Sequence, residues 1–197
     1  RNLLIALKVL YFYQYFSTNN GKWGTRAYEF SKKWVEESCE VTVFTSVYDK
    51  SDLKSNKLFY KKNYNNINVF VVNINVSNKH NIALRAITFI LYTLFSSIYA
   101  LIKKHDIVIA SSGPLSVAIP GLVSKFFRRK KLIFEVRDIF ADGLEQLEII
   151  KNRYFLNILR SFENYVYDKS DCIVVLSESM KDWIITKSRV RHNKIKV

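Results

Sequence analysis

The sequence predicts an open α/β fold, a mostly parallel sheet with helices on both faces, on three observations. Short, nearly continuous apolar runs recur along the chain, as expected of strands buried on both faces of a parallel sheet. Stretches with helical periodicity alternate with these runs, so the connections read as right-handed crossovers. Four of the five glycines (Gly21, Gly24, Gly113 and Gly143) follow predicted strands, at the carboxyl edge where ligands bind in such sheets. Any one of them reads equally well as ordinary loop punctuation.

The elements follow in order. Lys8 to Tyr13 (KVLYFY) is the first strand, and Gly21 to Arg26 (GKWGTR) is a turn. Ala27 to Glu37 is an amphipathic helix with Tyr28, Phe30, Trp34 and Val35 on its inner side. Glu40 to Val47 is the second strand, rich in β-branched residues. Asp49 to Asn66, polar and rich in Lys and Asn, reads as a surface loop or short excursion. Asn68 to Val76 alternates as a third strand, and a long apolar helix covers about residues 82–104. Asp106 to Ser111 is the fourth strand; Gly113-Pro114 opens the next helix, which Pro120-Gly121 is expected to kink. Lys131 to Val136 is the fifth strand, followed by an irregular stretch from Arg137 to about Asn152 and a helix from Arg153 to Asp168. Asp171 to Leu176 is the last clear strand. Ser177 caps a helix to about Lys187, and Lys194 to Val197 looks like the opening of another strand.

A chain of 197 residues, 49% apolar and 24% charged, can bury a substantial core, which excludes disorder. Cys39 and Cys172 lie far apart, as do His80, His105 and His192, so no metal site is expected. With so few cysteines and no signal-peptide pattern, the expected compartment is the reducing cytoplasm. Thirty-one Lys and Arg against 17 Asp and Glu leave a net charge of +14. That excess suits a phosphorylated small molecule, an anionic membrane face or nucleic acid, or else serves solubility alone. Nucleic acid is set aside, because neither a recognition helix nor an aromatic-basic strand motif is present.

Two segments carry candidate chemistry. The first loop, with Gly21, Lys22, Gly24 and Arg26, matches neither the dinucleotide fingerprint nor the P-loop in its glycine spacing. It can still aim backbone N–H groups and a helix N-terminus at a phosphate or other anion. The fifth strand ends in EVRDIFADGLEQLE, which places Glu135, Arg137, Asp138, Asp142, Glu145 and Glu148 close together. Arg137 and Asp138 suit positioning of hydroxyls or polarising of a phosphate; an internal ion pair that only organises the loop is the other reading.

YFYQYF, the glycine loop and GTRAYEFSKKWVEESCEVTVFTS together resemble the start of a GT-B glycosyltransferase of family 4, the kind found in bacterial O-antigen, colanic-acid and capsule synthesis. DIVIASSGPLSVAIPGLVSKFFRRKKLIFEVRDIFADG is the more specific match, and DKSDCIVVLSESMKDWI is similar to the last strand and helix before the interdomain linker. The resemblance implies that residues 1–197 form a single Rossmann-like, acceptor-side N-terminal domain, with the donor-binding C-terminal domain absent. It implies a retaining transfer without a metal or other cofactor, from a nucleotide-sugar donor to a glycan or lipid-linked acceptor. By position it implies that Gly21 and Gly24 approach the donor diphosphate or the acceptor. Ser111, Ser112 and Gly113 belong to the fourth-strand end that would line the cleft floor, and Arg137 and Asp138 take the place where many relatives carry a catalytic-site histidine. No histidine stands there, so that role does not transfer. Ile139-Phe140-Ala141 also replaces the Leu-Trp-Pro of the closer subgroup, and Arg1 to Leu7 lie ahead of the usual family start.

Ala86 to Ile102 holds seventeen uncharged residues, near the lower limit for a membrane span. Spanning would remove a crossover helix from the sheet, so a core helix that also shows an apolar stripe is the alternative. Beside Arg128, Arg129, Lys130 and Lys131 it is expected to dock on the inner face of the plasma membrane; a solvated helix end explains the same cations. Two functional expectations result. The chain is half of a glycosyltransferase, inactive in isolation, or it is a truncated or split module that binds a glycan or a partner subunit without catalysis.

Overall fold

The computed structural model describes residues 6–23, 25–77, 80–188 and 190–197. Eight strands form one sheet: β1 (Lys8–Phe12), β2 (Glu40–Tyr48), β3 (Phe59–Tyr64), β4 (Ile67–Val76), β5 (Ile107–Ser111), β6 (Lys131–Val136), β7 (Cys172–Val175) and β8 (Ile195–Lys196). Their order is β3-β4-β2-β1-β5-β6-β7-β8, parallel throughout except for the β3–β4 hairpin. The helices are α1 (Arg26–Glu36), α2 (Ile82–Ile102), α3 (Ala118–Arg128), α4 (Phe140–Gln146), α5 (Arg153–Lys169) and α6 (Glu178–Lys187).

Alternation along the strands splits the core in two. Val9, Tyr11 and Ile109 pack toward Ala27 and Tyr28 of α1. Leu10, Phe12, Ala110 and Phe134 pack toward Tyr92 of α2, Leu122 of α3 and Val166 of α5. Helices therefore cover both faces. Side chains fix three helix starts: Asn81 accepts from Leu84 N at 2.9 Å, Asn152 from Tyr154 N at 3.0 Å, and Ser177 from Met180 N at 3.2 Å.

The structure corrects four local expectations. The loop expected at Asp49–Asn66 contains β3, an edge strand whose Lys61 and Lys62 are exposed. Asn65 and Asn66, with φ of 48° and 65°, turn it back into β4. The irregular stretch after β6 contains α4, whose first turn is anchored by Glu163 of α5 accepting from Phe140 N at 2.9 Å. Gly113-Pro114 opens a 3-10 turn at Leu115–Val117 rather than α3 itself. Finally, α3 runs uninterrupted through Pro120-Gly121, because Pro120 sits in the first turn, where its missing N–H costs nothing. Gly121 serves close packing instead: a Cβ there would lie 2.7 Å from Leu132 Cδ1 and 3.4 Å from Ala110 Cβ.

His105 joins the ends of α2 and α3. Its buried ring contacts the Lys103 carbonyl through Nδ1 at 2.7 Å and Ser124 Oγ through Nε2 at 2.5 Å. Neutral imidazole fits both contacts, Nδ1–H donating to the carbonyl and Nε2 accepting from the hydroxyl. Burial holds its pKa below the ordinary 6.5, assisted by Lys130 and Arg128 and opposed by the Lys103 carbonyl. The unfolded chain therefore takes up this proton first. Its contribution to stability is complete above pH 6.5 and is lost as pH falls through the lowered native value. Urea unfolding between pH 7.5 and 5 should show a smaller decline for His105→Gln than for the wild type; equal declines would remove His105 as a cause.

Candidate functional site

The sheet reverses its order of addition at β1: β2 lies on one side and β5 on the other. Such a switch point leaves a crevice beyond the carboxyl ends of the strands. The first residues past β1, β5 and β6 are Tyr13, Ser112 and Arg137, and they meet there. Arg137 N donates to Ser112 Oγ at 2.8 Å, and Ser112 N donates to the Glu135 carbonyl at 2.8 Å. The Arg137 guanidinium donates through Nη1 to the Tyr13 hydroxyl and lies 5.2 Å from the centre of the Tyr13 ring. Its Nε is buried without a partner among the described residues. Burial pushes the Tyr13 pKa up and outweighs the opposing Arg137, so Tyr13 stays a neutral acceptor.

Above this trio lies a cavity of about 1070 Å³. Tyr13, Tyr15 and Tyr48 form one wall, and Phe140, Phe155 and Phe162 of α4 and α5 another. Arg85, Phe89 and Ile90 of α2 close a third side. Gly113 is glycine because the Tyr15 ring lies over it: a Cβ there would be 2.8 Å from Tyr15 Cε2. The site is therefore an aromatic chamber that also carries the guanidinium groups of Arg85 and Arg137, the carboxylate of Asp138 and the hydroxyls of Ser112 and Ser116, suited to an amphiphilic anion.

The predicted residues divide. Ser112, Gly113, Arg137 and Asp138 line the cavity together. Asp138 is exposed and makes no ion pair with a described residue, so Arg137 and Asp138 do not neutralise each other. Ser111, expected on the cleft floor, is buried beneath it, because successive strand residues face opposite ways. Gly21 and Lys22 do not line the cavity; Gly21 N bonds to the Thr18 carbonyl and Lys22 N to the Lys50 carbonyl. Gly24 lies outside the described residues. Arg26 does not reach the cavity, for its Nη2 lies 2.7 Å from Oε1 of buried Glu135. Asp142 and Glu145 both pair with Arg160, so these two acids of the cluster organise the α4–α5 corner. Arg128, Arg129, Lys130 and Lys131 lie at the opposite edge of the sheet, where α3 ends and β6 begins. Among the described residues no group of three His, Cys, Asp or Glu could hold a metal ion.

Sequence reasoning missed the aromatic walls, Trp23 and Arg85. Trp23 is exposed at the cavity edge with Lys50 Nζ 4.9 Å from its ring centre. The signal for Tyr13 and Tyr15 was present in YFYQYF, whose second half runs past the strand it ends.

The sequence model of Glycosyltransferase Family 4 matches residues 24–197. No curated protein matches the chain in sequence. Among solved structures, sucrose-phosphate synthase from Thermosynechococcus elongatus superposes with a TM-score of 0.62 at 9% identity, covering 96% of this chain and 47% of that one. Trehalose-6-phosphate synthase from E. coli, bound with UDP-2-fluoro glucose, superposes with a TM-score of 0.51 at 9% identity, covering 87% of this chain and 40% of that one. At such identity these likenesses establish the Rossmann-like α/β architecture of GT-B glycosyltransferases. The chain spans about half the length of those structures or less.

Proposed function

Because the chain belongs to glycosyltransferase family 4, we propose that it forms the acceptor-side wall of a retaining transferase. A second α/β domain would supply the donor side, and the product would be a cell-surface polysaccharide or its lipid-linked precursor. The cavity at the switch point carries this reading: it is large, aromatic, and lined also by Arg85, Arg137 and Asp138. In the transfer an acceptor oxygen bonds to the anomeric carbon while the bond from that carbon to the nucleotide diphosphate breaks. The hydroxyl proton leaves with the departing phosphate. Arg137, whose Nε has no partner among the described residues, suits the growing charge on the diphosphate. Asp138, exposed in the cavity lining and without an ion pair among the described residues, suits orientation of the acceptor hydroxyl. UDP-2-fluoro glucose in the E. coli structure favours a nucleotide diphosphate sugar as donor here.

The aromatic walls favour an acceptor carried on an apolar chain through a phosphate. Titration with farnesyl phosphate should change Trp23 fluorescence saturably, and more tightly than farnesol or inorganic phosphate does. The same titration of a Trp23→Phe variant should lose the signal. Equal, non-saturating responses to all three would overturn the lipid-phosphate acceptor. The chain alone should show no turnover with any donor, since one wall of the cleft cannot orient both substrates.

A further inference from the structure

We propose that the outer face of α2 rests on an anionic lipid bilayer, holding the mouth of the crevice at the membrane surface. This inference does not depend on what the crevice binds.

The 21 residues of α2 extend about 31 Å. Its inner face, Thr88, Tyr92, Ser96 and Ala100 at four-residue spacing, is buried in the core. The helix is long and apolar enough to cross a membrane, but a span would strip Tyr92 from its 2.9 Å hydrogen bond to the Phe44 carbonyl. The outer face is unusual. Ile87, Ile90, Leu94, Ile98 and Ile102 follow one another at three- and four-residue spacing, and Ile90 and Ile102 are 66% and 69% exposed. Phe127, near the end of α3, is likewise 75% exposed. A continuous apolar stripe of that length is a docking face rather than scattered surface hydrophobicity.

Charge selects the occupant. Between residues 80 and 134 the sequence holds eight Lys and Arg against one acid, Asp106, which accepts from Lys8 N at 2.9 Å. Lys103 and Lys125 pair with Glu40 and Asp171, which leaves Arg85, Lys104, Arg129, Lys130 and Lys131 outside any ion pair among the described residues. Arg85 stands near one end of α2; Lys104, Arg129 and Lys131 stand exposed near the other. The Arg128 guanidinium donates to the Leu101 carbonyl and fixes this basic end to the helix. An apolar stripe with cations at its ends suits anionic headgroups and the acyl boundary beneath them. A second copy of the chain is disfavoured, because a self-complementary pairing through α2 sets cations against cations. The geometry also gives the orientation. Phe89 and Ile90 line both the crevice and an adjoining apolar groove formed with Thr93, Leu94, Ser116 and Ile119. A bilayer under α2 therefore abuts the crevice mouth.

Co-sedimentation of the full chain with phosphatidylcholine vesicles, with and without 30% phosphatidylglycerol, tests this. Binding should require the anionic lipid and weaken from 50 to 500 mM salt. Arg129→Glu with Lys131→Glu should weaken it by roughly fivefold or more per site. Ile87→Asp with Ile98→Asp, outside the crevice, should abolish it. Ile98→Trp should gain fluorescence that brominated lipid quenches beyond the wild-type level, which distinguishes insertion from headgroup attraction alone. Absence of binding at low salt, an unquenched Trp at position 98, or a dimer in solution that the Ile87 and Ile98 variant splits would each overturn the proposal.

Discussion

Arg137→Ala is expected to lower sugar transfer by the proposed two-domain enzyme about 10²- to 10³-fold, the usual loss when one preorganised donor to developing negative charge is removed. In the isolated chain it should weaken farnesyl phosphate binding about 10- to 100-fold, as loss of a charged hydrogen-bond donor does. The side chain is oriented before any ligand arrives: its backbone N–H holds Ser112 Oγ at 2.8 Å and its Nη1 donates to Tyr13. Its Nε is buried without a partner among the described residues. Arg137→Lys should recover part of the charge but not the fork, because an ammonium cannot hold Tyr13 and a phosphate in one plane. Tyr13→Phe should cost less than either, since it releases the guanidinium without removing it. The unfolding midpoint of each variant separates these effects from folding. Wild-type affinity and rate in Arg137→Ala would make Arg137 a loop organiser only.

What the sequence revealed follows from how each element is stabilised. β1, β5, β6 and β7 are buried on both faces, so KVLYF, IVIAS, KLIFEV and CIVV announce themselves as apolar runs. β3 is an edge strand with a polar face, and FYKKNY shows no such run; its signal was the Asn65-Asn66 turn. α4 is short, contains Gly143, and is held by Glu163 across a separation of 23 residues, which no local pattern reports. The site was legible where strand ends define it, at Ser112, Gly113 and Arg137. It was misread at Arg26, because the choice between a phosphate and Glu135 is made by packing: Glu135 is 5% exposed and also accepts from Tyr11 at 3.3 Å. The chamber walls come from α2, α4 and α5, distant in sequence, and only the tertiary fold assembles them.

Phe44→Ala is expected to destabilise the fold by about 4 kcal/mol, the upper range for a buried aromatic truncation. Phe44 is 1% exposed, and its ring centre lies 5.9 Å from Phe12, 5.4 Å from Phe70, 5.6 Å from Tyr92 and 5.1 Å from Tyr99. Three strands and α2 thus converge on one side chain, and little can relax into the space it leaves. Against a total stability of roughly 5–15 kcal/mol such a loss approaches unfolding. Phe44→Leu should cost less than about 1.5 kcal/mol because it keeps most of the volume. Tyr92→Phe should cost about 1 kcal/mol, since the Phe44 carbonyl keeps its bond from Tyr13 N at 3.3 Å. Urea midpoints at unchanged slope measure all three. A Phe44→Ala loss below that of Tyr92→Phe would show that the hydrogen bond, rather than ring packing, fastens α2 to the sheet. If packing is the fastening, amide exchange in α2 should quicken in Phe44→Ala before it does in α5 or α6.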